Sequence, residues 1–349
     1  MANRYWVGGT ADWDGTAGSK WSTTSGGGGG SAVPTAADDV FLDGNSGAVT
    51  VSIKVLEAKC RSLDATGFTG TLADPDQWGL LIGDGTVGHT VFGSGMTLNT
   101  FPFFVSTTGP NNITTNGVTL PSPYYMQFSG AGGSWVLQDA LTVSGGSGII
   151  HTAGTLDTNG KAVTCTKLSS TGAITRALTF GASTITLDGN STVLNITGSN
   201  LTLTANTSTI VVSDTSASAK TIVGGSKTFN DITLTGGGTG EVQFSGNITI
   251  NTLAIGTPKN VSFSAVDTFT FSSLTATATA LGDIDIYSDT PGSAANFSDS
   301  SGANTVYRCT IQDIAASGGA GWSAISSTNV SGNSGWNFGS LGGMFNVFK

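Results

Sequence analysis

The segment 228–289 shows the internal plan of this chain most clearly. Three lines of sequence, FNDITLT at 229–235, ITINTLA at 248–254 and FTFSSLT at 269–275, follow one another at intervals of about twenty residues. Each line is followed by a turn and a second apolar pair, namely Val242/Phe244, Val261/Phe263 and Ile284/Ile286. Alternation at period two indicates strands with one buried face, and repetition of such a unit indicates stacked coils. The segment therefore predicts a β-solenoid in which the second pairs point into one core and Leu234, Leu253 and Leu274 recur together.

The composition extends this prediction to the whole chain. Of 349 residues, 52 are Gly and only 10% are charged, yet the mean hydropathy is +0.12. A disordered chain would be more charged and less apolar. The abundant Thr, Val, Ile and Phe favour strands, while Gly, Asn, Asp and Ser supply turns. No segment has apolar residues at helical spacing, so we predict an all-β parallel β-helix.

Charge and cysteine usage exclude several classes of protein. The net charge is -9, with no basic run to replace the counterions of a nucleic acid. No stretch approaches the roughly eighteen consecutive apolar residues of a membrane span. Cys60, Cys165 and Cys309 are too few and too far apart for a disulfide framework or metal motif, so we expect small buried hydrophobes. The N-terminus lacks the apolar run of a secretory signal, so export is not expected.

The chain divides into four predicted segments. Residues 1–50 form an N-terminal cap or attachment segment, with Trp6, Trp13 and Trp21 as its core. A solenoid needs such a cap because its first coil otherwise leaves unpaired strand groups exposed. Irregular coils follow at 51–134, with a Pro-rich and aromatic insertion or kink near 100–125. Regular solenoid is predicted for 135–312, and a C-terminal cap with an apolar tail for 313–349.

Three stretches resemble bacteriophage and bacterial β-helical proteins. WVGG at 6–9, WD at 13–14, WS at 21–22, Pro34 and DVF at 39–41 resemble the first coil and cap of autotransporter-like and phage β-helices. GTLDTNGKAVTC at 154–165 resembles a rung common in these proteins, and GNSGWNF at 332–338 resembles the end of many tailed-phage proteins. The resemblance implies a right-handed parallel β-helix in a virion: a tail fibre, spike or capsid-surface fibre. It further implies a homotrimer that contacts other virion proteins and host surface polysaccharide.

Two apolar features are candidate contact surfaces. Four of the eight Pro fall between 100 and 125, among a set of aromatic residues: Phe101, Phe103, Phe104, Tyr124 and Tyr125. We predict a glycan or partner contact there, with ordinary packing as the alternative. The C-terminal tail carries a second set, Met344, Phe345, Val347 and Phe348, beyond a Gly hinge. An exposed apolar end docks on another surface, so we expect it to serve oligomerisation or attachment.

The chain offers little for catalysis. Carboxylates come in near pairs at 12/14, 38/39, 74/76 and 283/285, and a glycosidase needs two carboxyl groups across a cleft. A tailspike polysaccharide depolymerase using paired Asp is therefore the first alternative. A bacterial adhesin passenger is the second, and it requires a signal peptide or translocator. Asp43, Asp84 and Asp188 precede Gly and are predicted to form Asx turns rather than calcium loops. His89 and His151 lie in no recognisable pattern, so no catalytic residue, metal ligand or cofactor is predicted.

Overall fold

A computed structural model describes residues 1–236, 238–256 and 259–340 of the chain. Within these ranges the only helix is a 3-10 turn at Gly44–Ser46, and every strand pairing but one is parallel. The chain divides into two compact units. Unit 1 contains Met1–Thr184 and Gly198–Thr204, and unit 2 contains Ile185–Thr197 and Ala205–Lys349. Each unit is built of stacked parallel strands, which confirms the predicted all-β solenoid.

Unit 1 contains 23 strands among its described residues. They are β1 (Asn3–Trp6), β2 (Ala11–Trp13), β3 (Trp21–Ser22), β4 (Asp39–Phe41), β5 (Thr50–Ile53), β6 (Ala58–Cys60), β7 (Ser62–Asp64), β8 (Thr71–Ala73), β9 (Leu80–Ile82), β10 (Thr90–Val91), β11 (Thr97–Asn99), β12 (Pro102–Phe104), β13 (Asn111–Thr114), β14 (Thr119–Leu120), β15 (Met126–Phe128), β16 (Ser134–Leu137), β17 (Leu141–Val143), β18 (Ile149–His151), β19 (Gly154–Asp157), β20 (Val163–Cys165), β21 (Leu168–Ser170), β22 (Arg176–Thr179) and β25 (Leu201–Thr204).

The remaining strands belong to unit 2, except that the first residue of β23 lies in unit 1. They are β23 (Thr184–Leu187), β24 (Ser191–Ile196), β26 (Thr209–Val212), β27 (Lys220–Val223), β28 (Lys227–Leu234), β29 (Val242–Ser245), β30 (Ile248–Ile255), β31 (Lys259–Phe263), β32 (Thr268–Thr277), β33 (Ile284–Ser288), β34 (Ala295–Asp299), β35 (Ala303–Tyr307), β36 (Thr310–Gln312), β37 (Ile314–Gly318), β38 (Gly321–Ile325), β39 (Thr328–Ser331) and β40 (Asn337–Gly339).

The number of strands in a coil differs between the units. In unit 1 the parallel ladders advance three strands at a time, as in the ladder β6–β9–β12–β15–β18–β21. In the middle of unit 2 the step is two, as in β27–β29–β31–β33 and β26–β28–β30–β32. There β28, β30 and β32 are 8, 8 and 10 residues long, so one long strand occupies the place of two short ones. The two-strand coil predicted for 228–289 is therefore confirmed for that segment, and three-strand coils precede and follow it along the chain.

The predicted core of unit 2 is confirmed. All six residues of the second pairs are 0% exposed: Val242, Phe244, Val261, Phe263, Ile284 and Ile286. In the ladder, Val242 pairs with Val261 and Val261 with Ile286. The rings of Phe244 and Phe263 stack with centroids 5.0 Å apart and planes 8° from parallel. Inward residues therefore form continuous columns from one coil to the next.

The register differs from the sequence prediction at two places. Ile284 pairs with Lys259, which points inward. Because lysine is charged, the apolar pattern did not mark this position as inward. Leu253 pairs with Leu274, but Leu234 lies in a different column. Because side chains alternate along a strand, a shift of two residues keeps the same face and leaves the core intact.

The predicted insertion at 100–125 is part of the solenoid. Strands β12, β13 and β14 all lie within it, and β12 pairs with β9 and β15. Pro102 is the first residue of its strand, where proline is tolerated. Pro110, Pro121 and Pro123 lie between strands, where they interrupt no ladder. The prolines therefore mark turns between coils rather than a departure from them.

The three N-terminal tryptophans lie in the core of unit 1. Trp6, Trp13 and Trp21 are all 0% exposed. Trp21 packs edge to face against both other rings, with centroids 5.0 Å and 4.9 Å away. Strand β3 pairs with β1 in the antiparallel direction, on the side of β1 opposite to β4. Strand β3 therefore occupies the first edge of this ladder, and a capping role for residues 1–50 stays a prediction.

Candidate functional site

Strand phase separates the five predicted contact aromatics into surface and core. In β12, Phe103 points outward and is half-buried, whereas Phe104 points inward and is 1% exposed. Phe104 stacks on Phe128 at a centroid distance of 4.9 Å. Phe104 is therefore a core residue and is not available for surface contact. Phe101 is 5% exposed and lies beneath the surface residues.

The other four residues form one group, here called the aromatic cluster: Phe101, Phe103, Tyr124 and Tyr125. Phe101 packs edge to face against Tyr124 at 5.0 Å and Tyr125 at 4.8 Å. Phe103 lies 5.8 Å from Tyr125 and 6.2 Å from Phe101. Phe103 and both tyrosines are half-buried, so each ring is partly accessible to solvent. Phe101 thus supports three rings that reach the surface from two different coils.

Two glycines permit this packing. Gly79 has a φ of +80°, and a Cβ there would lie 2.3 Å from a ring carbon of Phe103. A Cβ at Gly145 would lie 1.4 Å from the carbonyl oxygen of Tyr124. Any side chain at either position would displace part of the cluster, since real Cβ contacts are never this short. The turn carrying Tyr124 is closed by a hydrogen bond from its N–H to the Pro121 carbonyl, 2.9 Å long.

A buried carboxylate fixes the turn next to the cluster. Asp74 is 1% exposed and accepts hydrogen bonds from the backbone N–H groups of Trp78 (3.0 Å) and Gly79 (2.7 Å). It also accepts one from the Thr100 hydroxyl at 3.2 Å. Burial raises the pKa of Tyr124, and the negative charge of Asp74 raises it further. The phenol therefore stays protonated and able to donate.

Trp78 is an exposed aromatic residue in the turn next to the cluster, and the sequence pattern did not single it out. Its side chain is 37% exposed, and it directly precedes Gly79, which packs on Phe103. The available signal was the run DPDQWG at 74–79, a turn with a tryptophan among polar residues. Three half-exposed rings and a neighbouring indole form a surface suited to sugar rings. Aromatic faces accept apolar C–H groups, and phenol hydroxyls both donate and accept hydrogen bonds.

Most of the paired aspartates have local structural partners. Asp14 pairs with Lys20 at 2.7 Å, Asp76 with Lys54 at 3.0 Å, and Asp283 accepts from the Thr279 hydroxyl at 2.7 Å. Asp38 accepts from the backbone of Ala2 and from Thr35, and Asp39 pairs with Arg61. These contacts fix turns and coil-to-coil links.

The predicted Asx turns are confirmed at two sites. Asp43 caps the 3-10 turn through the N–H groups of Asn45 and Ser46. Asp84 accepts from the N–H and hydroxyl of Thr86 at 2.7 Å and 2.8 Å. Across the described ranges, no three His, Cys, Asp or Glu side chains are placed to hold a metal ion.

His151, Ser170 and Arg176 form a buried polar network in unit 1 that the sequence did not predict. His151 is 0% exposed and occupies the inward column above Phe128. Its Nδ1 lies 3.0 Å from the Ser170 hydroxyl, to which the Arg176 Nε also donates at 3.0 Å. Burial lowers the pKa of His151 to about 4, and Arg176 contributes in the same direction. The network is enclosed, so it stabilises the coils rather than forming a site.

The cysteines are confirmed as buried. Cys60, Cys165 and Cys309 all lie in the core and are 0% exposed. Burial raises the pKa of Cys309 to about 12. The four predicted docking residues, Met344, Phe345, Val347 and Phe348, lie outside the described residues.

Comparison with other proteins adds no relative. No protein-family model, curated protein or solved structure matches this chain. Among the described residues, no helix has the length and apolar character needed to span a bilayer.

Proposed function

We propose that this chain is a non-enzymatic attachment component of a bacteriophage virion, a tail fibre, spike or capsid-surface fibre, that contacts host surface glycans. The parallel β-helix fold is typical of tail fibres, spikes and proteins that bind or degrade polysaccharides. The observation that carries the proposal is the aromatic cluster. Three partly exposed rings held in fixed orientation suit stacking on sugar rings, and an exposed apolar patch of this kind marks an interaction site.

The carboxylates support binding over cleavage. A glycosidase pair needs one carboxyl group with a raised pKa, facing another across the substrate. The pKa values of Asp14, Asp38 and Asp283 are all lowered, by hydrogen bonds and, for Asp14 and Asp38, by nearby cations as well. These groups stay ionised and engaged in turns, which suits a structural role.

Assembly strengthens weak sites. We propose a homotrimer in the virion, in contact with other virion proteins. Each aromatic cluster offers only a few stacking contacts, so one protomer is expected to bind a glycan weakly. Three linked copies raise the apparent affinity by avidity without any new contact. The net charge of -9 argues against nucleic acid as a partner.

The experiment is a binding titration with immobilised bacterial surface polysaccharides. Substituting Phe103→Ala or Tyr125→Ala is expected to weaken binding roughly tenfold, the effect of losing an aromatic contact of about 1–2 kcal/mol. Gln127→Ala is the matched control, because Gln127 lies beside Phe103 in the ladder and is also half-exposed. Equal binding by wild type and both aromatic variants would contradict the proposal.

A further inference from the structure

Unit 2 carries a second polar surface on the outward face of the ladder β29–β31–β33–β36. Two columns of outward residues run across these strands. The first contains Glu241, Asn260, Asp285 and Thr310, and the second contains Gln243, Ser262, Tyr287 and Gln312. Glu241 directly precedes β29 and so continues the first column. All eight side chains can form hydrogen bonds.

Tyr287 bridges the two columns. Its hydroxyl lies 2.9 Å from Oε1 of Glu241, a residue two strands away, and it donates to that carboxylate. Burial raises the pKa of Tyr287, and Glu241 and Asp285 raise it further, so the phenol keeps its proton. The Tyr287 side chain therefore crosses the strand that carries Ser262. Ser262 is 0% exposed, and its hydroxyl has no hydrogen-bond partner among the described residues.

A groove opens beside Tyr287. It has a volume of about 260 Å³ and is lined by Asp285, Ile286, Tyr287, Thr310 and Gln312. The side chain of Asp285 forms no hydrogen bond or ion pair with any residue in the described part of the chain, in contrast to that of its neighbour Asp283. Its carboxylate oxygens are free acceptors at the rim of the groove. The volume is below the roughly 300–1,000 Å³ of pockets for drug-sized ligands.

We propose that this groove binds one residue of a neutral or amino-substituted saccharide. Asp285 would accept hydrogen bonds from a pair of hydroxyls or from an ammonium group. Gln312 and Thr310 would donate and accept at the other edge of the ring, and the face of Tyr287 would contact its C–H groups.

Charge decides against acidic sugars. Glu241 and Asp285 lie on the same face, about 10 Å apart at two strand spacings. A uronic or sialic acid carboxylate in the groove would lie against Asp285, with a weaker repulsion from the more distant Glu241, within a chain whose net charge is -9. Like-charge contacts of this kind disfavour a ligand strongly. The inference deepens the proposed function by naming the class of saccharide, and it rests on that function only for the expectation that glycans are the ligand.

The test uses three tetrasaccharide probes: a glucose tetramer, a glucosamine tetramer and a galacturonic acid tetramer. Ligand-observed NMR titration of the full chain gives each dissociation constant. We expect the glucose or glucosamine probe to bind and the galacturonic acid probe not to bind. Asp285→Asn is expected to weaken binding roughly tenfold, since hydrogen bonds to a charged group are the strong ones. Asp231→Asn is the matched control, an outward carboxylate on β28 of the same unit.

Two further variants make the outcomes distinct. Tyr287→Phe keeps the ring and removes only the hydroxyl that donates to Glu241, so the ring loses the contact that fixes its orientation and a several-fold weakening of binding is expected. Phe103→Ala leaves unit 2 untouched. Loss of binding in Asp285→Asn but not in Phe103→Ala supports this groove even if the aromatic cluster proves inert. Preference for galacturonic acid, absence of binding by both other probes, or indifference to Asp285→Asn would overturn the inference.

Discussion

Substituting Val261→Asp tests whether the inward columns carry the stability of unit 2. Val261 is 0% exposed and lies between Val242 and Ile286 in the ladder. Losing its buried side chain costs about 1.5–3 kcal/mol. Burying a carboxyl group with no partner adds at least roughly 1–3 kcal/mol. We expect a total of about 2.5–6 kcal/mol at neutral pH, a large share of the whole stability of a typical domain, about 5–15 kcal/mol.

Guanidinium chloride titration followed by far-ultraviolet circular dichroism measures this loss. The matched control is Thr249→Asp, an exposed outward residue on β30, which is expected to change stability by less than about 0.5 kcal/mol. A pH series adds a signature. Burial raises the folded-state pKa of the new carboxyl, so its penalty is largest at neutral pH and shrinks as pH falls toward its unfolded pKa of about 3.9.

Two results would refute the reasoning. If Val261→Asp unfolds within about 1 kcal/mol of the wild type, the side chain does not face a closed core. If Thr249→Asp is equally damaging, the two faces of the strands are not distinguished as the burial pattern requires.

The remaining predictions concern acid stability, the N-terminal cap and the C-terminal tail. Burial lowers the pKa of His151 to about 4. The neutral imidazole therefore has no acid-linked cost above its unfolded pKa of about 6.5, and the free energy of unfolding falls by up to roughly 3 kcal/mol as the pH drops from there to about 4. Thermal melts of His151→Gln should show a smaller acid-dependent loss than those of the wild type. Trp21→Ala should destabilise by about 3–5 kcal/mol and expose the first 50 residues to proteolysis, whereas unchanged protease resistance would argue against a cap. Removing residues 339–349 should shift the oligomer toward monomer in light scattering while circular dichroism stays the same; an unchanged mass would exclude a role in assembly.

The fold could be predicted from the sequence wherever the inward residues are apolar. The alternation around Phe244 and Phe263 gave both the strands and their stacking, because the two phenylalanines occupy one column. The pattern failed where a polar residue points inward. Lys259 opposes Ile284, and His151 continues the column of Phe128. His151 is tolerated because Ser170 and Gly154 give it hydrogen bonds, and burial lowers the pKa of Lys259, which favours its neutral form; residue type alone reveals neither.

The candidate sites could be predicted only in part from the sequence. The aromatic residues at 101–125 were found from composition, but whether Phe103 or Phe104 faces the surface depends on strand phase. Glu241 and Tyr287 are 46 residues apart in the chain. Their contact follows from coil lengths in the ladder, and these vary too much to be counted from sequence.

The most direct test of attachment without cleavage is a single light-scattering measurement. The full chain is incubated with the polysaccharide that it binds best, and the mixture is separated by size with continuous measurement of mass. The proposed function predicts that the protein elutes with the polymer and that the mass of the polymer does not change during prolonged incubation. A steady fall in polymer mass, abolished by substituting an aspartate, would contradict it and indicate a depolymerase.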